Sequence, residues 1–567
     1  MEMKKLLLTL LLSVLAVSMH AVCVDGIYYY LKPDHKATVK VETVWNEDFT
    51  SYEVLYYKGD LVIPSTFVFE GETYTVDCVD LYGCEELTSV TLPETIEEIA
   101  ECGFYGCSAL TGVELPSSLK KIGRSAFSYS GLKEITIPSS VKTIGAMALS
   151  TRTLEKVYIP DLLAWCNTDI EMAGNVGYIF STEGNLSIYM GSDKVLVKNL
   201  VIPNEITTVK PNLFRDFVQL TEVTFHEKVD SIGTNAFKGC TGLERINISD
   251  LKAWCHMRFG NSAILPNGMV QDIGNPLYYA KALYMDGEEL TVLDIPEGTE
   301  RIGEGAFMNC KGVTRVNLPS TLRRVDYSAF LDCINIITVS TPSLRDYCNI
   351  EYASMDSSPL TPNKTTAVQL HEGESADIAE NLVIPAGVTE IKPYAFAGNL
   401  PHHGLSIPPS VKKIGAYAFY NGLYLNNLNI MGHVTEIAEN AFGNCTGLSI
   451  GAGGTIHVYD GNPAAISEMA FYNTRGGAYG PYPADCIYSC PLYVPTGTKA
   501  KYEQTTGWSL FKEIHEFDVE LPTEVSIPTW EPTMERFTLD GLRVDEQRRG
   551  LLIVRQGDGK IKKVLRK

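Results

Sequence analysis

The sequence LKEITIPSSVKTIGAMAL, residues 132–149, is one unit of a motif that recurs along this chain. Ile135 and Ile137 are two positions apart with Thr136 between them, which is the period of a strand with one buried face. Pro138 has no N–H for a strand ladder, so the strand should end there, and Gly145 should permit the backbone turn that follows. Each unit therefore predicts one short strand, a turn, and a segment that closes over a core.

A phenylalanine returns at a near-fixed step in these units. Five pairs are 23 residues apart: Phe104 and Phe127, Phe214 and Phe237, Phe307 and Phe330, Phe396 and Phe419, and Phe419 and Phe442. A fixed period of about 20 to 29 residues is the signature of a leucine-rich-repeat solenoid, in which stacking completes the core that one coil cannot form alone. We therefore predict a solenoid of about 23-residue coils, with short parallel strands and irregular or short helical segments between them.

Polar residues occupy the alternate positions of the predicted strands. They should face solvent and, when the coils stack, form one continuous polar sheet. The clearest cases are Thr111, Glu114, Lys133, Thr136, Glu155, Tyr158, Thr221, Thr224, Thr314 and Asn317.

A second, longer period lies over the first. The sequence LEKVYIPDLLAWC, residues 154–166, returns as LERINISDLKAWC at 243–255 and, more weakly, at 336–348. These repeats predict three longer insertion coils, near residues 154–202, 243–295 and 336–384. Because insertions in solenoids map to loops on one face, the three insertions should project from the same side.

The remaining segments are assigned as follows. A charged start and an apolar run predict a signal peptide at residues 1–21, and Cys23 leaves open a lipidated alternative. We expect an N-terminal cap region at 22–75, the solenoid at 76–515, a proline-containing linker at 516–533 and a C-terminal β tail at 534–567. The tail carries nine basic and three acidic residues from Gly541 on and predicts a hairpin around Asp558. It is either a small terminal β unit or a sorting or attachment module.

The charge and the cysteines restrict the class of protein further. A net charge of −21 disfavours nucleic acid and anionic lipid as partners, and no later segment reads as transmembrane. Most of the 14 cysteines fall at fixed repeat positions, which favours a ladder of buried free thiols over a disulfide framework. Pairing of Cys102 with Cys107, or of Cys486 with Cys490, stays open.

The sequence offers no catalytic, metal or cofactor site, and ligand-binding residues cannot be assigned. Ser449 lies in a G-x-S-x-G pattern, but on a repeat strand rather than at a strand-to-helix turn, which argues against a nucleophile elbow. Trp165, Trp254 and Tyr347 could form aromatic platforms, but their fixed register favours packing. We predict a protein that is not an enzyme and needs no cofactor.

The repeat across residues 110–132 and 220–243 closely resembles the BspA-like leucine-rich-repeat surface proteins of Bacteroidota, and the tail resembles a short type IX secretion sorting domain. The resemblance implies a secreted or outer-cell-surface protein that adheres to host extracellular-matrix proteins or to other bacteria. The alternative is a cell-envelope structural or glycan-binding protein.

Overall fold

The computed structural model describes residues 21–32, 34–45, 52–171, 178–180, 186–260, 263–264, 270–271, 274–280, 282–361, 368–373, 381–398, 402–448, 453–472, 476–477, 480–481, 488–519, 535–537, 543–544, 550–555 and 561–566. Coil after coil stacks in parallel register, so the predicted leucine-rich-repeat solenoid is confirmed.

The predicted strand of each unit forms what we call the front row, in which successive coils pair in parallel. Its strands are Gly59–Val62, Leu87–Thr91, Glu134–Thr136, Lys156–Ile159, Ser187–Met190, Asn199–Val201, Glu222–Phe225, Arg245–Ile248, Leu283–Met285, Val292–Asp294, Arg315–Asn317, Thr338–Thr341, Gln369–Glu372, Asn381–Val383, Gly404–Ile407, Asn427–Ile430, Thr455–Val458, Leu492–Pro495 and Ile514–Phe517.

A second strand per coil, which the sequence analysis missed, forms a side row of parallel pairs. In the unit at 132–149 it is Thr143–Ile144, just before Gly145. The side-row strands are Glu72–Asp80, Glu98–Ile99, Lys121–Ile122, Thr143–Ile144, Asp169–Ile170, Thr208–Val209, Ser231–Ile232, Arg258–Phe259, Arg301–Ile302, Arg324–Val325, Glu351–Tyr352, Glu390–Ile391, Lys413–Ile414 and Glu436–Ile437. Most have only two residues, too few to show a period in sequence.

The core lies between these rows and the turn that carries the repeated phenylalanine. Phe396, Phe419 and Phe442 are buried and stack on one another with ring centroids 5.3 Å apart and planes within 3°. Phe104 stacks on Phe127 at 5.1 Å in the same way. Since this spacing is close to the ~4.8 Å between adjacent strands, phenylalanines of successive coils form short aromatic stacks of two or more rings.

The front row is not one continuous sheet, and that prediction was wrong. Within the described residues it divides into separate sheets, with breaks before Glu134–Thr136, Asn199–Val201, Val292–Asp294 and Asn381–Val383. At the second and third of these breaks a short antiparallel strand, Val195–Leu196 or Glu288–Glu289, returns along the edge of the preceding strand. Because the returning strand takes that edge's hydrogen bonds, the next coil cannot pair there.

The helices are short and lie mainly in the long coils. They are α1 Leu162–Cys166, α2 Leu251–His256, α3 Leu277–Ala280, α4 Leu344–Cys348 and α5 Lys499–Gln504, with 3₁₀ turns at Met355–Ser357, Thr446–Leu448 and Trp508–Leu510. The N-cap carboxylate of Asp161 accepts a hydrogen bond from the Ala164 N–H at 2.9 Å, and Asp250 caps α2 in the same way.

Glycine is required at the repeated position for a reason other than the predicted turn. Gly123 and Gly145 are not left-handed; instead, a Cβ on Gly123 would lie 2.5 Å from the Ala100 carbonyl carbon, and one on Gly145 would lie 2.4 Å from the Arg124 nitrogen. The left-handed residue comes two positions later, at Ser125 with φ 52° and at Met147 with φ 57°. Glycine is therefore required because the neighbouring coil's backbone passes too close for a side chain.

Antiparallel strands flank the solenoid. At the N-terminus these are Val22–Val24, Ile27–Leu31, Lys36–Lys40, Glu42–Trp45, Tyr52–Leu55 and Thr66–Phe69, and Lys36–Lys40 joins the side row through Glu72–Asp80. Short hairpins pair Ala263–Ile264 with Val270–Gln271 and Gly476–Gly477 with Gly480–Pro481. In the tail, Gly550–Arg555 pairs antiparallel with Ile561–Arg566 as predicted, beside Glu535–Phe537 and Arg543–Val544; Asp558 lies outside the described residues.

Candidate interaction surface

The outward sides of the front-row strands form a surface that we call the front face. Val157 and Val223 point into the core, whereas their strand neighbours Tyr158 and Thr224 are partly exposed. All the outward positions predicted from the sequence are exposed or half-buried in this way. The front face is therefore a regular, extended surface on which the solenoid could bind a partner.

One coil of the front row has no strand. Residues 111–115 occupy the strand position between Leu87–Thr91 and Glu134–Thr136 but join neither. In this fully described part of the chain, none of their five backbone N–H groups donates a hydrogen bond, and among their carbonyl oxygens only that of Thr111 accepts one, from Lys133 at 2.9 Å. Val113 is only partly buried, whereas Val90 and Ile135 at the same position in the adjacent coils belong to the core, and Leu115 is partly buried like Leu92.

An open cleft lies where this strand is missing, and we call it the front cleft. Its volume is about 700 Å³, and it is lined by residues 89–92, 112–115 and 134–136, with Tyr158 and Lys194 at one rim. Gly112 is part of the floor, and a Cβ on this residue would meet no atom within 4 Å. The missing side chain therefore leaves space in the cleft itself.

The two rims of the front cleft are polar. The Lys194 ammonium lies 4.3 Å from the centroid of the Tyr158 ring, which in turn lies 5.2 Å from the ring of Tyr189. Ser89 belongs to the opposite rim, and its hydroxyl donates to the Asp60 carboxylate at 2.6 Å. This hydrogen bond, with a second from Thr88, lowers the pKa of Asp60.

A second cluster on the front face lies near the C-terminal end of the solenoid, and we call it the aromatic strip. The His457 ring stacks on Tyr493 at 4.6 Å, and Tyr493 lies 5.4 Å from His515. Phe517 meets both His457 and Tyr459 edge to face. Burial in this stack lowers the pKa of His457. The residues of this strip are half-buried or exposed.

The sequence profile of the BspA type Leucine rich repeat region matches this chain in six copies, over residues 65–169, 189–269, 279–363 and 374–476. The matched ranges cover more than half of the chain. The chain belongs to the BspA-type leucine-rich-repeat family. No curated protein matches it in sequence.

Several bacterial proteins are among the solved structures similar to this BspA-type protein. One from Bacteroides ovatus is 19% identical, with 69% of this chain and 93% of that chain covered and a TM-score of 0.34. The pneumococcal vaccine antigen PcpA is 17% identical, with 88% and 99% covered and a TM-score of 0.30. A leucine-rich cell surface protein from Faecalibacterium prausnitzii is 21% identical, with 59% and 98% covered and a TM-score of 0.23.

A long coil together with the short coils that follow it forms what we call a superunit, and the aromatic residues of the long BspA-type coils join neighbouring superunits. Trp165 and Trp254 are buried, and their indole N–H groups donate to the carbonyl oxygens of Leu213 at 3.2 Å and Ala306 at 2.7 Å, respectively. Each acceptor precedes the repeated phenylalanine of the following superunit. Tyr347 is also buried and packs on Phe396 at 5.3 Å. These residues therefore have the packing role that their register predicted.

The repeated cysteines form the predicted ladder of buried thiols. The Sγ of Cys240 donates to the Phe214 carbonyl oxygen at 3.1 Å, and Cys333 and Cys445 make the equivalent bond to Phe307 and Phe419. Burial raises the pKa of the Cys240 thiol to about 12. Every described cysteine is free, so the alternative pairing of Cys102 with Cys107 is not formed; Cys486 lies outside the described residues.

Several predicted features fall outside the described residues, namely Ser449, the signal peptide up to residue 20 and short parts of the three insertions. Within the described ranges, no group of three or more His, Cys, Asp or Glu residues could hold a metal ion. No helix in those ranges is both long and apolar enough to cross a bilayer. The absence of a catalytic or cofactor site stays a prediction.

Proposed function

We propose that this protein is a non-enzymatic, secreted or cell-surface adhesin that binds host extracellular-matrix proteins or the surface proteins of other cells. The observation that carries the proposal is the front cleft, an open site of about 700 Å³ on the regular outward face of the solenoid. BspA-type repeats over most of the chain support a role in protein interaction. Solenoids use such extended faces to bind macromolecules.

The proposed surface location rests on the predicted signal peptide and on the resemblance to BspA-like surface proteins. One structural neighbour carries the description of a leucine-rich cell surface protein. We assign residues 1–21 as a signal peptide, residues 22–75 as a cap, 76–515 as the solenoid, 516–533 as a linker and 534–567 as a sorting or attachment tail. Because the repeats resemble those of the BspA-like surface proteins of Bacteroidota, we propose that this protein comes from that phylum.

The aromatic strip favours a second candidate, a glycan-binding or structural role in the cell envelope. His457, Tyr493 and His515 place three aromatic rings in sequence along the front face. Aromatic side chains combine an apolar body with polar edges, which suits contact with a sugar. Under this alternative, variants of the strip would lose binding and variants of the front cleft would not.

Surface plasmon resonance tests the main proposal. Residues 22–567 would be immobilised and exposed to fibronectin, fibrinogen and laminin over a series of salt concentrations, with a glycan array measured in parallel. Saturable binding at micromolar or lower concentration to at least one matrix protein is expected. Binding to glycans alone would favour the second candidate, and binding to neither would overturn the adhesin proposal.

A further inference from the structure

We propose that the front cleft binds an extended segment of a partner protein as an added β-strand, with a Lys or Arg of that segment beside Glu114. The inference rests on the proposed function, because it specifies the partner chemistry of the same surface. Under this proposal, residues 111–115, which form no front-row strand, are the recognition element of the solenoid.

The first argument is the unpaired backbone of residues 111–115. Five successive N–H groups without a protein partner are exceptional in a solenoid whose other front-row coils are paired. Backbone N–H and C=O groups are obligatory hydrogen-bonding groups. In an extended chain they point alternately to its two sides, so an added strand satisfies, in register, the groups on the side that it occupies.

The neighbouring strands offer the same groups. Within the described part of the chain, Leu87–Thr91 pairs only with Gly59–Val62, and Glu134–Thr136 pairs only with Lys156–Ile159. Both strands therefore turn an open edge toward the cleft. Open edges recruit extended chains, and most proteins cover or charge them for that reason.

The floor and the charge of the cleft define the segment that fits. Leu92, Val113 and Leu115 are only partly buried, so apolar side chains of a bound segment could complete their packing. Glu114 and Glu134 both line the cleft and are exposed. The Glu134 carboxylate forms a long ion pair with the Lys156 ammonium, at 4.0 Å. A segment that alternates apolar residues with Lys or Arg matches this floor and the acidic chain as a whole.

A peptide suits the cleft better than a glycan does. The unpaired groups follow one another at the spacing of a polypeptide backbone, which only another backbone repeats. The Tyr158 ring carries Lys194 over its face, so this aromatic surface is not free for a sugar.

Gly112 allows a direct test, because its Cβ position opens into the cleft and its φ is not left-handed. A random dodecapeptide library displayed on phage would be selected on residues 22–567 and counter-selected on Gly112→Trp. Selected peptides would then be measured by fluorescence polarisation against the wild type, Gly112→Trp, Glu114→Lys, and two front-face controls. The controls are Val201→Trp, at a valine that is 62% exposed, and Glu288→Lys. Circular dichroism and thermal unfolding would check the fold of each variant.

Selection should yield peptides enriched in Lys or Arg, whose affinity falls at least tenfold in both cleft variants and less than twofold in both controls. Bound peptide should also slow hydrogen exchange of the amides of residues 111–115. Failure to select any peptide, equal affinity for all variants, or unchanged exchange at 111–115 would each overturn the inference. If matrix proteins bind while no peptide is selected, the adhesin proposal survives and this inference fails. If peptides bind as expected and matrix proteins do not, this inference survives and the adhesin proposal fails.

Discussion

The thiol of Cys240 donates a hydrogen bond of 3.1 Å to the carbonyl oxygen of Phe214, the repeated phenylalanine of the preceding coil. The same bond joins Cys107 to Leu81, the residue that holds the phenylalanine position in the first unit. Each of these carbonyl oxygens also accepts a backbone N–H from its own turn, so the thiol of the next coil adds a second hydrogen bond. The bond also explains why cysteine, rather than alanine, recurs at this position.

Alkylation should distinguish this ladder from ordinary surface thiols. Because burial raises the pKa of Cys240 and Cys333 to about 12, these thiols stay protonated and shielded at pH 8. Iodoacetamide should modify the exposed Cys23 within minutes, while Cys240 and Cys333 react only after unfolding in urea. Peptide mapping by mass spectrometry measures this. Rapid modification of Cys240 in the folded protein would show that the coil corner is open.

The phenylalanine stack should carry much of the stability of each superunit. Phe237 is buried and stacks on Phe214 at 5.3 Å. Phe237→Ala should lower the free energy of unfolding by about 3 to 5 kcal/mol, whereas Thr224→Ala on the front face should cost under about 0.5 kcal/mol. Urea unfolding followed by circular dichroism gives both values. Similar losses at the two positions would mean that the assigned faces are wrong.

Two glycines provide a matched test of coil spacing. A Cβ on Gly123 would lie 2.5 Å from the backbone of Ala100, whereas one on Gly112 would meet nothing within 4 Å. Gly123→Ala should therefore destabilise the protein by about 1 to 3 kcal/mol. Gly112→Ala should change stability by no more than about 1 kcal/mol, on the stabilising side. Thermal unfolding compares the two variants, and equal midpoints would contradict the close approach at Gly123.

The tryptophan bonds should hold adjoining superunits together. Trp254→Phe keeps an aromatic ring but removes the buried N–H that donates to the Ala306 carbonyl oxygen at 2.7 Å. Leaving that carbonyl unpaired should cost about 1 to 3 kcal/mol. Lys252→Ala, at an exposed position of the same helix, is the control. Hydrogen exchange should become faster around residues 303–307 in Trp254→Phe only, and unchanged exchange there would assign the residue no joining role.

Stability should fall at acidic pH through His457. Burial against Tyr493 and Phe517 lowers the pKa of His457, so the unfolded chain binds this proton more readily than the folded protein. The resulting stabilisation is present above the unfolded pKa of about 6.5 and is lost as pH falls through the lower folded value. Thermal midpoints between pH 7 and pH 4.5 should fall less steeply in His457→Phe than in the wild type. Parallel curves would exclude the effect.

The sequence by itself determined the repeat, its period and the direction in which each side chain points. The residue types found at Val223, Phe237 and Cys240 return at fixed steps in other coils, because each coil presents the same groups to the next one. Such a constraint is visible in a single sequence. For the same reason the register predicted the burial of Trp165 and Trp254 correctly.

Only the tertiary structure decided what depends on contact between coils. The two-residue side strands, the breaks in the front row and the close approach at Gly123 are properties of neighbouring backbones, which a local pattern does not record. The front cleft shows this most clearly, because residues 110–115 fit the repeat motif as well as any other coil yet form no ladder. Strand pairing depends on the position of both partners, and that position is set by packing across the whole stack.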